Sequence, residues 1–342
     1  MKSLLEAQNV TRIFDSGLLS KGHTVAVDGV SLMINEDKPS ITTIAGESGS
    51  GKTTLARLLL GMIQPTSGSI LYRGQSLTAM DRRARKKFRR EVQAIFQDPY
   101  EAYNPIYKVD QTLTTPVRKF GLARSREEAQ QRITDSLRMA GLRPEETLGR
   151  YPHQLSGGQR QRIMVARALL LNPRVILADE PVSMVDASLR ATILESLVKV
   201  KRELGISLIY ITHDLTTAYQ ASQNIYILYR GCVAEMGSVE KVIKNPKHPY
   251  TRLLVSSVPL PDPDIRWGRE GEIEAKASAP SAPVKEGGGC KFSNRCPYVM
   301  AECRQAPPPL FLTDDDRAVA CYLYKAGAPV SGRDMAKSLA RD

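Results

Sequence analysis

Eight residues constrain this chain more than any other segment. Gly46–Glu47–Ser48–Gly49–Ser50–Gly51–Lys52–Thr53 fills the pattern G-x-x-x-x-G-K-[S/T] completely. The apolar run Ile41–Thr42–Thr43–Ile44–Ala45 leads into it. A helical stretch through Thr53 and Thr54 to Met62 follows, and Pro65 and Gly68 mark its end. Glycines let the backbone turn so that its N–H groups point inward, and the helix N-terminus adds partial positive charge. In that frame Lys52 is expected to reach the β- and γ-phosphates of a nucleoside triphosphate, and the Thr53 hydroxyl to ligate Mg²⁺. A Gly-rich turn alone would mean little. A strand before it and a helix after it make a phosphate cradle the expectation.

The rest of the first 250 residues reads as strands alternating with helices. Residues 25–34 and 41–45 have strand character, residues 99–165 are helical and polar, and strand character returns at Val175–Ala178. Leu189, Ile193, Leu197, Val200 and Leu204 make a core-facing stripe at spacings of 4, 4, 3 and 4, closed by Gly205. Ile206–Thr212 is a β-rich run that feeds His213. Such alternation implies a mostly parallel sheet with ligands at the strands' C-terminal ends. Asp179 stands at one such end, where a carboxylate is costly unless it serves a cation, so it is a candidate Mg²⁺ partner. Glu180 follows and can turn toward the γ-phosphate as the general base for an attacking water.

The chain has 342 residues, 42% of them hydrophobic, enough for one large domain and a smaller appendage. Its 48 basic and 36 acidic residues leave +12. Arg82, Arg83, Arg85, Lys86, Lys87, Arg89 and Arg90 crowd into one stretch. That is a solvated face or a contact with membrane lipid or a membrane partner. Nucleic acid is not expected, since only Phe88 interleaves with these charges. No apolar run approaches the roughly 18–20 residues of a membrane span, and the N-terminus lacks a signal-peptide core, so a cytoplasmic location is expected. Residues 272–289 read as a linker rich in Ala, Pro, Ser and Gly. Beyond it stand Cys290, Cys296, Cys303 and Cys321, separated by 5, 6 and 17 residues. This spacing fits no zinc ribbon, and a loop so poor in apolar residues is not expected to hold itself together without a ligand. Cys232 reads as a small buried hydrophobe.

Leu155–Ser156–Gly157–Gly158–Gln159, followed by Arg160–Gln161–Arg162, resembles the signature of ABC ATPases. The resemblance implies an α/β fold: a P-loop NTPase of ABC type with a mixed sheet core and a helical signature subdomain about 99–165, all within residues 1–250. It implies ATP and Mg²⁺ as ligands. Ser156, Gly157, Gly158 and Gln159 would open a helix, Gln159–Leu171, whose N-terminus is a second anion site. One chain has already used its phosphate loop, so this site would face the γ-phosphate on a partner subunit. Gln97 resembles the Q-loop glutamine that senses Mg²⁺ and water, and His213 the switch histidine at the γ-phosphate. Phe14 resembles the aromatic that stacks on adenine, with Asp15–Thr24 an inserted loop. Ser183–Met184–Val185–Asp186 stands where the D-loop belongs. Met184 and Val185 depart from the commoner Ala-Leu, but Asp186 is retained, so activity is expected to persist.

Phe96–Gln97–Asp98–Pro99–Tyr100 with Asn104–Pro105, Tyr151–Pro152–His153–Gln154 and Asn245–Pro246–Lys247–His248–Pro249–Tyr250–Thr251 resemble the oligopeptide/dipeptide/nickel importer branch. That branch implies a second ABC ATPase subunit (a paralogue or another copy), two membrane permeases, an external solute-binding protein, and a peripheral place on the cytoplasmic face of the inner membrane. It also implies a small irregular extension over 251–330, with 331–342 as a tail. Several members bind an iron–sulfur cluster there, so Cys290, Cys296, Cys303 and Cys321 are candidate [4Fe–4S] ligands, with zinc and free thiols left open. An ATPase of a cytosolic enzyme complex, such as carbon–phosphorus lyase, is the rival, against which the long C-terminus argues. A DNA-linked ABC ATPase is disfavoured, since 128 residues between Lys52 and Glu180 leave no room for its long coiled coil.

Overall fold

The computed structural model describes residues 2–15, 23–98, 103–183, 185, 187–258 and 288–341. β1 (Ser3–Asp15) and β2 (His23–Asn35) form a long antiparallel ribbon. β3 (Ile41–Ala45) leaves it for a second sheet, and after α1 (Lys52–Leu59) the strands β4 (Ser67–Tyr72) and β5 (Gln75–Ser76) complete the first, in the order β2-β1-β4-β5. The basic stretch is α2 (Arg82–Glu91), begun by the Asp81 carboxylate, which accepts from the Ala84 amide. Phe88 alone on it is buried, edge-on to Tyr72 at 5.3 Å.

β6 (Val92–Ile95) precedes a helical layer made of α3 (Asp110–Phe120), α4 (Arg126–Met139), α5 (Pro144–Thr147) and α6 (Gly157–Leu169). Val109, Leu113, Ile133, Leu137, Leu155 and Ile163 share one core with the neighbouring face of the second sheet. β7 (Val175–Asp179), α7 (Ala187–Leu204), β8 (Ser207–Thr212), α8 (Leu215–Ala221) and β9 (Asn224–Tyr229) follow. β6, β7, β8, β3 and β9 pair in parallel in that order. With helices over both faces, strands such as Ile41–Ala45 and Ser207–Thr212 are buried at every residue. In α7, Ile193, Leu197 and Val200 face the core as expected, but Leu204 is 45% exposed, because the helix ends there and Gly205 turns the chain away.

The C-terminal third differs from a loose extension and tail. β10 (Cys232–Ser238) turns back antiparallel on β9, and α9 (Val239–Lys244) and α10 (Pro249–Ser256) close over it. After α11 (Glu302–Gln305), the strands β11 (Leu310–Asp314), β12 (Arg317–Val319) and β13 (Pro329–Val330) carry the large sheet four strands past β9. The segment expected to be irregular therefore extends the ATPase sheet edge, with Glu235, Met236 and Gly237 of β10 paired to β12. The last helix, α12 (Gly332–Leu339), packs on β2, and the side-chain amides of Asn35 and Asn224 donate to the Ala340 and Leu339 carbonyls at 3.0 and 2.9 Å. The linker expected over 272–289 lies almost wholly outside the described residues.

A buried polar network ties this third to the core. The Arg317 guanidinium, 3% exposed, donates to the Asn245 carbonyl at 2.7 Å, the Lys241 carbonyl at 3.1 Å and the Asp314 carboxylate. It lies 4.0 Å from Glu235, which is fully buried and accepts the Lys247 and His248 amides. Burial raises the Glu235 pKa, and those amides and Arg317 oppose the rise. Arg317→Met would strip a buried carboxylate of its cation and two carbonyls of their donor. We expect a loss of about 3 kcal/mol of unfolding free energy in urea denaturation. Stability equal to the wild type would refute this role.

Candidate functional site

β3 delivers the phosphate loop to α1, as its sequence predicts. Two of its glycines are required by their surroundings. Gly46 has φ +150°, and a Cβ there would stand 2.2 Å from the Leu228 carbonyl oxygen; Gly51 has φ +100° and would meet the Ala26 carbonyl at the same distance. The loop is thus wedged between β9 and β2. The Ser50 amide donates to the Glu47 carbonyl across Ser48 and Gly49, and Gly231 donates to the Ser50 carbonyl. Lys52, 6% exposed, donates to the Gly46 and Glu47 carbonyls at 2.8 Å each. Burial lowers its pKa, while Glu180, Asp179 and Glu47 act to raise it. The Ser50 hydroxyl is buried in the loop without a hydrogen-bond partner. A buried cation and an unpaired hydroxyl ahead of a helix N-terminus together suit a polyanionic ligand.

Asp179 ends β7 beside this loop. Its pKa is raised first by burial and then by Glu180, against the Thr53 hydroxyl, Lys52 and Arg57. Two adjacent carboxylates with one shared ammonium are a setting that a divalent cation would relieve. The donors present fit Mg²⁺: a hydroxyl at Thr53, a carboxylate at Asp179 and an amide side chain at Gln97, all oxygen-bearing.

Glu180 has φ +44°, an uncommon conformation for a residue with a side chain. Its amide donates to the Ile211 carbonyl of β8, and its own carbonyl accepts from the Ser183 hydroxyl at 2.9 Å. The turn sends the carboxylate between two groups. Gln97 Nε2 donates to Oε2 at 3.2 Å, and His213 Nδ1 lies 3.0 Å from Oε1. Three residues separated by up to 116 positions, Gln97, Glu180 and His213, thus meet at the ends of β6, β7 and β8.

The signature segment caps α6. The Ser156 hydroxyl accepts from the Gln159 amide at 3.2 Å, and Gln159 Oε1 accepts from the Ser156 amide at 2.9 Å. The helix starts at Gly157, two residues before the expected Gln159, because this reciprocal cap supplies two of its unpaired amides. Gly158 is buried and Ser156 exposed. Gln161, one turn on, donates to the Phe96 carbonyl at 3.3 Å, tying the signature helix to the residue before Gln97. Phe14, the residue before the end of β1, is 38% exposed, with the Arg12 guanidinium 4.6 Å over its ring. Asp186 and Met184 lie outside the described residues, as do Pro99 and Tyr100.

The four C-terminal cysteines line one cavity with His248, Phe292 and Tyr322. Burial raises Cys296 to about 11 and Cys321 to about 12, and Cys290 also shifts up. Among the described residues no group of three or more His, Cys, Asp or Glu is gathered to hold a metal ion. Cys232 departs from expectation: it is half-buried, and its thiol donates to Asp28 at 3.5 Å. Sequence reasoning missed Tyr250 and Arg295 as neighbours of the phosphate loop. The Tyr250 hydroxyl accepts the Glu47 amide, and Arg295 pairs with the Glu47 carboxylate. No local pattern marks either, because both contacts span more than 200 residues.

Residues 27–183 match the family model for ABC transporters, and residues 234–303 match that for the oligopeptide/dipeptide transporter C-terminal region. The di/tripeptide transport ATP-binding protein DppF of Pseudomonas aeruginosa (strain UCBPP-PA14) is 39% identical over 94% of this chain and 98% of its own length. The oligopeptide transport ATP-binding protein OppF of Salmonella typhimurium is 39% identical over 83% of this chain and 84% of its own. The ATP-binding cassette MJ0796, solved as a dimer in a post-hydrolysis state bound to ADP and Pi, superposes with a TM-score of 0.61 at 31% identity, covering 69% of this chain and 98% of that one. With matches of this length and identity, the chain is an ATPase of the ABC transporter family and belongs to its oligopeptide/dipeptide branch.

Proposed function

We propose that this chain hydrolyses ATP to drive peptide uptake, as a peripheral subunit on the cytoplasmic face of the membrane. It would act with a second ABC ATPase subunit, a paralogue or another copy, with two membrane permeases and with an external solute-binding protein. The match of residues 234–303 to the oligopeptide/dipeptide C-terminal region carries this reading, since that segment is absent from a bare nucleotide domain. Among the described residues no helix is long and apolar enough to cross a membrane, which agrees with a subunit that borrows its permeases. The ATPase domain is read as 1–250, the cysteine-bearing extension as 251–330 and the tail as 331–342.

In this reading Gly46–Thr53 and Thr54 hold the phosphates, Phe14 stacks on the adenine, and Thr53, Gln97 and Asp179 hold Mg²⁺. The metal ion, when bound, neutralises charge on the β- and γ-phosphates. Glu180 takes the proton of the attacking water, and the contacts to Gln97 and His213 keep its carboxylate aimed. Ser156–Gln159 meets the γ-phosphate held by the partner subunit, and Asp186 is assigned to the nucleotide site by its place in the sequence. Glu180→Gln keeps the shape and a hydrogen bond but removes the base. Steady-state ATP hydrolysis should fall about 10²–10⁴-fold while ATP affinity stays within a factor of a few. Turnover at the wild-type rate would remove Glu180 from this role.

Cys290, Cys296, Cys303 and Cys321 are proposed to hold a [4Fe–4S] cluster. Four soft sulfur donors lining one shared cavity support this reading. Protein isolated anaerobically from membranes should bring down two permeases and carry iron and sulfide. Cys296→Ser should lose the iron and keep the permeases. Recovery in a soluble enzyme complex would overturn the transport reading, and iron-free wild-type protein would overturn the cluster.

A further inference from the structure

Glu47, the second residue of the phosphate loop, has every polar group engaged. Its carbonyl takes the Lys52 ammonium at 2.8 Å. Its amide donates to the Tyr250 hydroxyl at 2.8 Å, and its carboxylate takes Arg295 Nη1 at 3.1 and 3.0 Å. Two of these three partners come from the C-terminal third. Because Lys52 and Arg295 hold the same residue, a shift of Glu47 would displace the ammonium that the nucleotide must meet.

Both partners are set by packing. Tyr250 is fully buried, 4.5 Å from the Tyr229 ring and 5.6 Å from Phe292. Phe292, 3% exposed, lies 5.3 Å edge-on to Tyr229, and the Arg295 guanidinium sits 5.6 Å over the Phe292 ring. The same short loop reaches the other side of the cradle. Lys291 donates to Asp28 at 2.9 Å and to the Arg230 carbonyl at 3.0 Å. Next to these, the Asp28 amide donates to the Gly231 carbonyl and the Gly231 amide to Ser50. Cys290 and Cys296 end this loop, and the Cys290 amide is fixed to the Cys303 carbonyl at 2.7 Å.

We infer that the loop Cys290–Cys296, with Tyr250, is a strut between the four-thiol cavity and the phosphate loop, in which Arg295 and Tyr250 are positioning residues for ATP. The inference rests on the reading of Gly46–Thr53 as the nucleotide cradle. The Arg295–Glu47 pair is 42% and 37% exposed, so it adds little to folding. Its effect belongs in where Glu47 stands.

The test is the affinity of the full-length chain for a non-hydrolysable ATP analogue, with the melting temperature and the ATPase KM and kcat read alongside. Arg295→Met and Tyr250→Phe should each raise Kd and KM about three- to five-fold, and the double variant about ten-fold or more, with kcat at saturating ATP within about two-fold. Arg295→Lys should recover part of the loss. Lys325→Met, which breaks an ion pair to Glu302 inside the same third but away from the loop, should leave Kd unchanged. Wild-type Kd in both single variants, or an equal loss in Lys325→Met, would overturn the strut. Failure of the wild type to bind the analogue would overturn the cradle itself, and the strut with it.

Discussion

Burying the Lys52 ammonium is unfavourable unless acceptors surround it, and the geometry of the cradle follows from supplying them. Two loop carbonyls meet the cation directly, and the carboxylates of Asp179, Glu180 and Glu47 lie near enough to favour its charge. Those carbonyls turn inward only because Gly46 and Gly51 let the backbone press against Leu228 and Ala26. β9 and β2 must then stand where they do, which joins the parallel sheet to the antiparallel one. Asp179 is pushed up first by burial and then by the neighbouring Glu180 carboxylate. A site poised this way gains from a ligand that brings both phosphate and a divalent cation.

The run Asn245–Thr251 acquires a physical reason from the same frame. Glu235 and Arg317 fix its backbone at Asn245, Lys247 and His248, and His248 Nδ1 accepts the Tyr250 amide to start α10. The outcome is a tyrosine hydroxyl set 2.8 Å from the Glu47 amide. A motif that reads as a family mark therefore acts as a bracket between the sheet edge and the nucleotide loop. The strands β11 and β12 supply Arg317 and so complete the bracket from the end of the chain.

The parts of this architecture legible in sequence are those whose causes are local. The phosphate loop, the apolar strands β3, β7 and β8, and the caps of α6 each carry their pattern within a dozen residues. β1 was not legible, because register shifts between Ala7 and Ile13 break the alternation that would reveal it. β11 and β12 were hidden for another reason: Ala318 pairs with Met236, 82 residues earlier, and runs of five and three residues give no signal for so distant a partner. Gln97, Glu180 and His213 could be named through resemblance, but their meeting on one carboxylate is a property of strand order. Arg295 stood among cysteines that drew attention to metal rather than to the loop it touches.

Ser156 caps α6 in the helical layer, whereas Lys52 opens α1 after the loop from β3. The exposed N-terminus of α6, with its serine and glycines, is the proposed site for a phosphate carried by another chain. The measurement that tests this most directly is the structure of two such subunits, or of this chain with its paralogue, holding a non-hydrolysable ATP analogue and Mg²⁺. The account predicts that Ser156 Oγ of one subunit lies within about 3.2 Å of the γ-phosphate bound at the partner's Lys52. Nucleotide held at Lys52 with both Ser156 hydroxyls facing solvent would contradict it.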